Sequence, residues 1–281
     1  MKVCVITIAR HEDEHIEEFC DHYFNVIGVD HIVWVDNNNP PLKPVVINDK
    51  RVTVVRKNHL DFGDGKKRPL DYQNECLNDA LKKHVYKKFD CCIYTDVDEL
   101  LDLNGVKIKK YISKLPEGFD YVAVRWVMQS NNYYIWDNDL PTKTMKGDYG
   151  WDTNHVPHEE YKAFFKVHKN SYIDIWYPYS RRTLPKFIRG HQRLIIDPNI
   201  RVHHYRVQCI EHYIRHKVKN GWYGRKIKPE FIKGLFNSAQ FRNSNVKLKL
   251  SQYDDLMLLL KKYKIKLSKF DQDYLNRVFK R

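Results

Sequence analysis

The sequence predicts an α/β fold, a mostly parallel sheet flanked by helices, followed by a helical C-terminal extension. Two observations predict it. Short continuous apolar runs alternate with segments whose apolar residues recur at three-and-four spacing, the pattern of strand–helix units joined by right-handed crossovers. Towards the C-terminus the strand-like runs stop and helical periodicity alone remains.

The elements follow in order. Residues 2–9 (KVCVITIA) form the first strand. Ile16, Phe19, Cys20, Tyr23, Phe24 and Ile27 then share one helical face, and Gly28 supplies the left-handed residue that ends a helix. Residues 31–35 (HIVWV) form a second strand closing on Asp36, Asn37, Asn38 and Asn39, residues 52–55 a third, and residues 71–86 a helix. The fourth strand, residues 91–95 (CCIYT), runs straight into Asp96, Val97, Asp98 and Glu99. A further strand is expected at residues 121–127. Residues 131–179 are aromatic and charged with little periodicity, which suits an acceptor-binding region or lid. Strand-like runs return at residues 194–196 and 201–205, and helical patterns at 211–219 and over much of 249–280. No repeat or low-complexity linker separates these parts. A soft boundary near residue 206 gives a unit 1–206, with halves 1–103 and 104–206, and a helical extension 207–281.

Composition narrows the classes. A hydrophobic content of 42% with 30% charged residues is that of a folded chain. Forty-nine Lys and Arg against 35 Asp and Glu give a net charge of +14, which attracts phosphates, nucleic acids or an anionic membrane surface without choosing among them. Lys and Arg interleaved with Tyr and Trp would suit a nucleic-acid binder, but no recognisable module of that kind is present, and no nucleic acid is expected as a partner. The basic residues are densest in the C-terminal third at amphipathic spacing. That third reads as helices with a solvated face, or with peripheral contact to a membrane surface. No apolar run approaches the ~18–20 residues of a membrane span, and the first residues lack a secretory leader, so a cytoplasmic protein is expected. Six cysteines without a C-x-x-C pair lie mostly in apolar patterns and read as reduced, buried thiols.

In a parallel sheet, ligands bind at the carboxyl ends of the strands. Three polar clusters fall there: Arg10, His11 and Glu12 after the first strand, Asp36 and Asn37 after the second, and residues 96–99 after the fourth. Distant positions therefore converge on one crevice. The segment YTDVDELL carries three acids within four positions between apolar flanks, where unpaired carboxylates repel one another and are costly to desolvate. A divalent cation, Mn²⁺ or Mg²⁺, resolves that conflict, because it takes hard carboxylate oxygens and absorbs charge developing on a departing diphosphate. Asp96 and Asp98 are its candidate ligands, and His203 or His204 a third. Adjacent residues of an extended segment point in opposite directions, so only one of the two histidines faces the site. An Asp at position 36 accepts from a base N–H or a ribose hydroxyl, or else only shapes its turn. Lys66, Lys67 and Arg68 either neutralise a diphosphate or form a solvated loop. Clustered acids with His also serve phosphohydrolases, but those would ask for a second close metal.

With those residues in place, the chain resembles glycosyltransferase family 92 and the related family 2-like group. The match runs through RHEDEHIEEFCDHYFNVIGVDHIVWVDNNN, with His11 where the family has Asn, then QNECLNDAL from Gln73, IYTDVDELL with Leu100 where the family has Phe, VRWVMQSNN, and VHHYRVQCIEHYIRHKVKNG. These segments are spread between residues 10 and 221 of the chain. The resemblance implies a GT-A (nucleotide-diphosphosugar transferase, Rossmann-like) fold, a nucleotide-sugar donor with UDP-sugar favoured, a glycan or glycolipid acceptor, and a Mn²⁺ or Mg²⁺ cofactor. It points to His204 rather than His203 as the metal ligand beside Asp96 and Asp98. For the donor it implies Ala9, Arg10, Glu12, Asp36 and Asn37, with Arg68, Gln73, Asp96 and Val97. Inversion at the anomeric carbon is implied too, and needs a general base near the acceptor hydroxyl; Asp148, Asp152 and Glu159 are the candidates. The contrasting readings are a nucleic-acid-binding basic protein and a GT-A scaffold without activity.

Overall fold

The computed structural model describes residues 1–10, 12, 15–38, 48–57, 69–128, 161–173, 194–205, 211 and 250–278. Four strands are parallel: β1 (Val3–Ala9), β2 (His31–Asp36), β3 (Val52–Arg56) and β4 (Cys91–Tyr94). Their register sets Ile6 beside Val33 on one side and Tyr94 on the other. Strands β5 (Glu99–Asp102), β6 (Tyr121–Met128), β7 (Tyr161–Lys166) and β8 (Leu194–His204) complete an eight-stranded sheet of order β3-β2-β1-β4-β7-β6-β8-β5. Here the pairing changes sense, since β7 is antiparallel to both β4 and β6, and β8 is antiparallel to β5. The α/β class and its flanking helices are therefore as the sequence predicts, with an antiparallel half added to the parallel one.

The parallel half is legible in the sequence because both of its faces are covered. Successive residues of a strand point to opposite faces, so only a continuous apolar run satisfies both sides. On one face Cys4, Ile6, Val33, Val35, Cys92 and Tyr94 pack with Leu77, Ala80 and Leu81, which come from α2 (Pro69–Ala80) and the π-type turn Leu81–Val85 that continues it. Elsewhere along β2, Trp34 meets the edge of Phe19, 5.6 Å between ring centres, and Phe19 in turn meets Tyr23 at 4.6 Å. Phe19 belongs to α1 (Ile16–Asp21), which widens into a π-type segment at His22–Ile27. Gly28 stops it at φ 81°, as its position in the sequence predicts. A short helix, α3 (Ile108–Ile112), follows β5.

Two expectations change. The aperiodic stretch 131–179 contains β7, whose residues pair with β4 and β6. The separate runs at 194–196 and 201–205 are parts of one eleven-residue strand, β8. Of the C-terminal helical patterns, α4 (Leu250–Lys262) and α5 (Lys269–Val278) are described, while residues 212–219 lie outside the described residues. The chain divides into two compact units, Met1–Val127 with Thr153–His204, and Met128–Asp152 with Tyr205–Arg281. In the second, Lys262 and Tyr263 each reach Glu211 at 2.7 Å.

Cys4, Cys76, Cys91 and Cys92 are buried free thiols and Cys20 is half-buried; Cys209 lies outside the described residues. Burial pushes the Cys20 thiol up to about 11 and Cys91 to about 12, which keeps both protonated and unreactive near neutrality. Among the described residues, no helix is long and apolar enough to cross a membrane.

Candidate functional site

The parallel registers bring the carboxyl ends of β1, β2 and β4 side by side. Ala9 stands next to Asp36, the Asn37 N–H donates to the Ala9 carbonyl at 3.0 Å, and the Thr95 N–H reaches the Ile6 carbonyl at 3.4 Å. Asp36 is buried, and its Oδ1 accepts both the backbone N–H and the side-chain amide of Asn38, at 3.0 and 2.9 Å. That oxygen shapes its own turn, the Asx geometry such a sequence favours. The next residue differs. Asn37 is fully buried, and neither end of its side-chain amide has a hydrogen-bond partner among the described residues. Arg10 is half-buried, and burial lowers its guanidinium from the ordinary value. Glu12 lies 3.7 Å from His15. Gln73 is half-buried on α2, and Val97 is buried within the acidic turn.

That turn links β4 to β5, and Glu99 organises it. Its side chain is fully buried, with Oε2 accepting the Asp96 N–H at 3.0 Å and lying 3.2 Å from the Thr95 hydroxyl. A cation absent from the site residues named by the sequence completes this arrangement. Lys162, on β7 and 1% exposed, places Nζ 3.1 Å from Glu99 Oε2 and 2.8 Å from Asp96 Oδ2. Its ammonium also lies 4.7 Å over the Tyr94 ring, while the Tyr94 hydroxyl donates to Asp96 Oδ1 at 3.2 Å. Burial, reinforced by the charges of Asp96 and Asp98, pushes the Glu99 carboxyl well above the usual carboxylate range; Lys162 and the Asp96 N–H pull it back down.

Asp98 turns the other way. The β5–β8 register sets His204 opposite Glu99, and His204 Nε2 lies 3.2 Å from Asp98 Oδ2. His203, one residue earlier, points to Asp102 at 3.4 Å. Strand alternation thus sends the two neighbouring histidines to different carboxylates. Asp98, Glu99 and His204 each offer a ligand atom within 4.8 Å of the others. A second Glu99 oxygen, Oε1, is buried without a hydrogen-bond partner among the described residues. Two carboxylates and an imidazole, one oxygen of them unsatisfied, form a donor set that suits Mn²⁺ and also offers Mg²⁺ hard oxygens.

Structure therefore brings Asp98 and His204 together, adds Glu99, and turns Asp96 towards Lys162. Sequence reasoning missed Lys162 because the segment around it shows no clean alternation. Glu99 was visible as the third acid of the motif, but its burial was not. Asp148, Asp152 and Glu159, and the basic run of Lys66, Lys67 and Arg68, lie outside the described residues.

No family model matches the chain and no curated protein matches its sequence. Among solved structures it is similar to mannosyltransferase PcManGT from Pyrobaculum calidifontis, determined in complex with GDP-Man and Mn²⁺, at 16% identity over 98% of this chain and 79% of that one, TM-score 0.42. It is also similar to 4-diphosphocytidyl-2C-methyl-D-erythritol synthase from Anaerococcus prevotii, at 11% identity over 76% of this chain and 93% of that one, TM-score 0.37.

Proposed function

We propose that this chain is a metal-dependent glycosyltransferase, moving a sugar from a nucleotide-diphosphate donor, UDP-sugar favoured, to a hydroxyl of a glycan or glycolipid with inversion. One observation carries the reading: a carboxylate–imidazole cluster, Asp98, Glu99 and His204, forms where the turn after the parallel strand β4 enters β5 and meets the end of β8, at the carboxyl end of the parallel strands where such folds bind their ligands. Asp98 and His204 hold a divalent cation there, with Glu99 behind them. When bound, that cation supplies electrostatic stabilisation of the charge developing on the departing diphosphate.

The remaining residues act on the donor by position. Ala9, Arg10, Asp36 and Asn37 line the nucleoside end of the crevice, where the buried amide of Asn37 offers one donor and one acceptor face. Glu12, Gln73 and Val97 flank them, and Arg68 meets the diphosphate. A carboxylate among Asp148, Asp152 and Glu159 takes the acceptor's proton. The test is calorimetric titration of the full chain with UDP, GDP and CDP, with and without Mn²⁺, on the wild type and on Asp98→Ala. Cation-dependent binding of one nucleotide, lost in Asp98→Ala, is expected. Absence of binding to all three in the wild type removes the reading and favours a scaffold without activity.

A further inference from the structure

Lys162 occupies an unusual position for an amine. Its strand partners end before the acidic turn: Ala163 pairs with Tyr94, the last residue of β4, and Lys162 itself pairs with Val124 of β6. From there its side chain crosses the Tyr94 ring to reach both Asp96 and Glu99. A buried ammonium is costly unless it is paired, and replacement of a buried ion pair by apolar side chains is often neutral or stabilising. Stability is therefore a poor explanation for a lysine here. What Lys162 does to the acidic turn is a better one.

We propose that Lys162 is a positioning residue that holds Asp96 away from the cation and sets the charge of the site. This rests on the metal-dependent reading above. Lys162 places one positive charge between Asp96 and Glu99, on the opposite side of the turn from the Asp98–His204 pair. Both oxygens of Asp96 are engaged, Oδ2 by Lys162 and Oδ1 by the Tyr94 hydroxyl, whereas Asp98 faces His204. The turn is thereby divided: Asp98 serves the cation, and Asp96, whose side chain is 38% exposed, is held in place at the mouth of the crevice. Without the ammonium, Asp96 loses the partner of its Oδ2 and is released towards the cation, which would then bind more tightly.

The experiment is Mn²⁺ binding to the full chain, followed by electron paramagnetic resonance, for wild type, Lys162→Met, Lys162→Arg and Lys162→Met/Asp96→Asn, each checked for folding by its melting curve. Lys162→Met is expected to bind Mn²⁺ about tenfold more tightly, because the released Asp96 adds a ligand. Lys162→Arg should bind as the wild type does, and adding Asp96→Asn should return the Met variant to the wild-type affinity. A folded Lys162→Met that binds Mn²⁺ no more tightly than the wild type overturns the role of Lys162 while leaving the functional reading intact. Should Lys162→Met not fold, Asp96→Asn alone decides: Mn²⁺ affinity within about threefold of wild type supports the proposal, and a loss as large as that of Asp98→Asn overturns it. Wild-type protein that binds no Mn²⁺ overturns both.

Discussion

The Tyr23 hydroxyl donates a 3.0 Å hydrogen bond to the carbonyl of Glu99, 76 residues further along the chain. The same oxygen accepts the Leu101 N–H at 3.2 Å, and neighbouring His22 Nε2 donates to the Leu101 carbonyl at 2.8 Å. Strand β5 ends the sheet, so among the described residues its outer edge has no strand partner. Two side chains from the π-type segment take that role, covering an edge that would otherwise be open to another chain.

Tyr23→Phe keeps the ring against Phe19 and removes only the bridge. It leaves the Leu101 N–H without its partner and weakens the hold on Glu99, a cost of about 1–3 kcal/mol. Urea denaturation checks this. An unchanged midpoint would mean that water reaches the β5 edge and the bridge contributes nothing.

His22 gives a pH dependence with a definite sign. Burial lowers its pKa, an effect only partly offset by the Leu101 carbonyl, so the folded state favours the neutral ring. The unfolded chain therefore binds more protons between the folded value and the unfolded value of about 6.5. Stability is fully present above that unfolded value and is lost as pH falls from there through the folded one. His22→Gln retains a donor for Leu101 and should flatten the fall in melting temperature between roughly pH 7 and pH 5. Parallel curves for the two proteins would show that other groups set the slope.

Cation removal should be visible without any substrate. A ligand that binds only the folded state at a hundred times its Kd stabilises by about 2.7 kcal/mol. Saturating Mn²⁺ is thus expected to raise the wild-type melting temperature, and a chelator to reverse the rise. His204→Ala should retain part of this shift, and Asp98→Ala should abolish it. Equal shifts in all three proteins would place the cation elsewhere.

Gly28 ends the π-type segment at φ 81°, and a Cβ built there meets Lys107 Cδ at 3.1 Å. The methyl costs about 1–2 kcal/mol in the left-handed conformation. The Lys107 stem can give way, so Gly28→Ala should destabilise by that backbone cost and little more. A change in denaturation midpoint several times larger would show that Lys107 is held rigidly.

The parallel half was legible because burial on both faces leaves one kind of sequence, the continuous apolar run, and β1, β2 and β4 all have it. Gly28 was legible because the backbone conformation after a helix asks for it. The antiparallel half was not. In YKAFFK, Lys162 and Lys166 interrupt the apolar residues at positions where charge usually signals solvent, yet Lys162 is buried against two acids supplied by a distant turn. No local pattern encodes a partner 66 residues away. Composition likewise left His203 and His204 equivalent. The β5–β8 register separates them, and it is a property of paired strands. Asp36 was ambiguous for the opposite reason: its bond to Asn38 is local and readable, whereas a ligand contact is not.

Strand β5 gains its strand partner β8 about a hundred residues later in the chain. During synthesis the acidic turn therefore emerges long before the lysine and histidine that meet it. Loop closure over such a span is slow relative to helix formation, and a nascent chain that stops short of residue 162 holds the acidic turn without the Lys162 ammonium or the His204 imidazole. The site is thus among the last parts of its unit to assemble, and its completion reports that the whole sheet has formed.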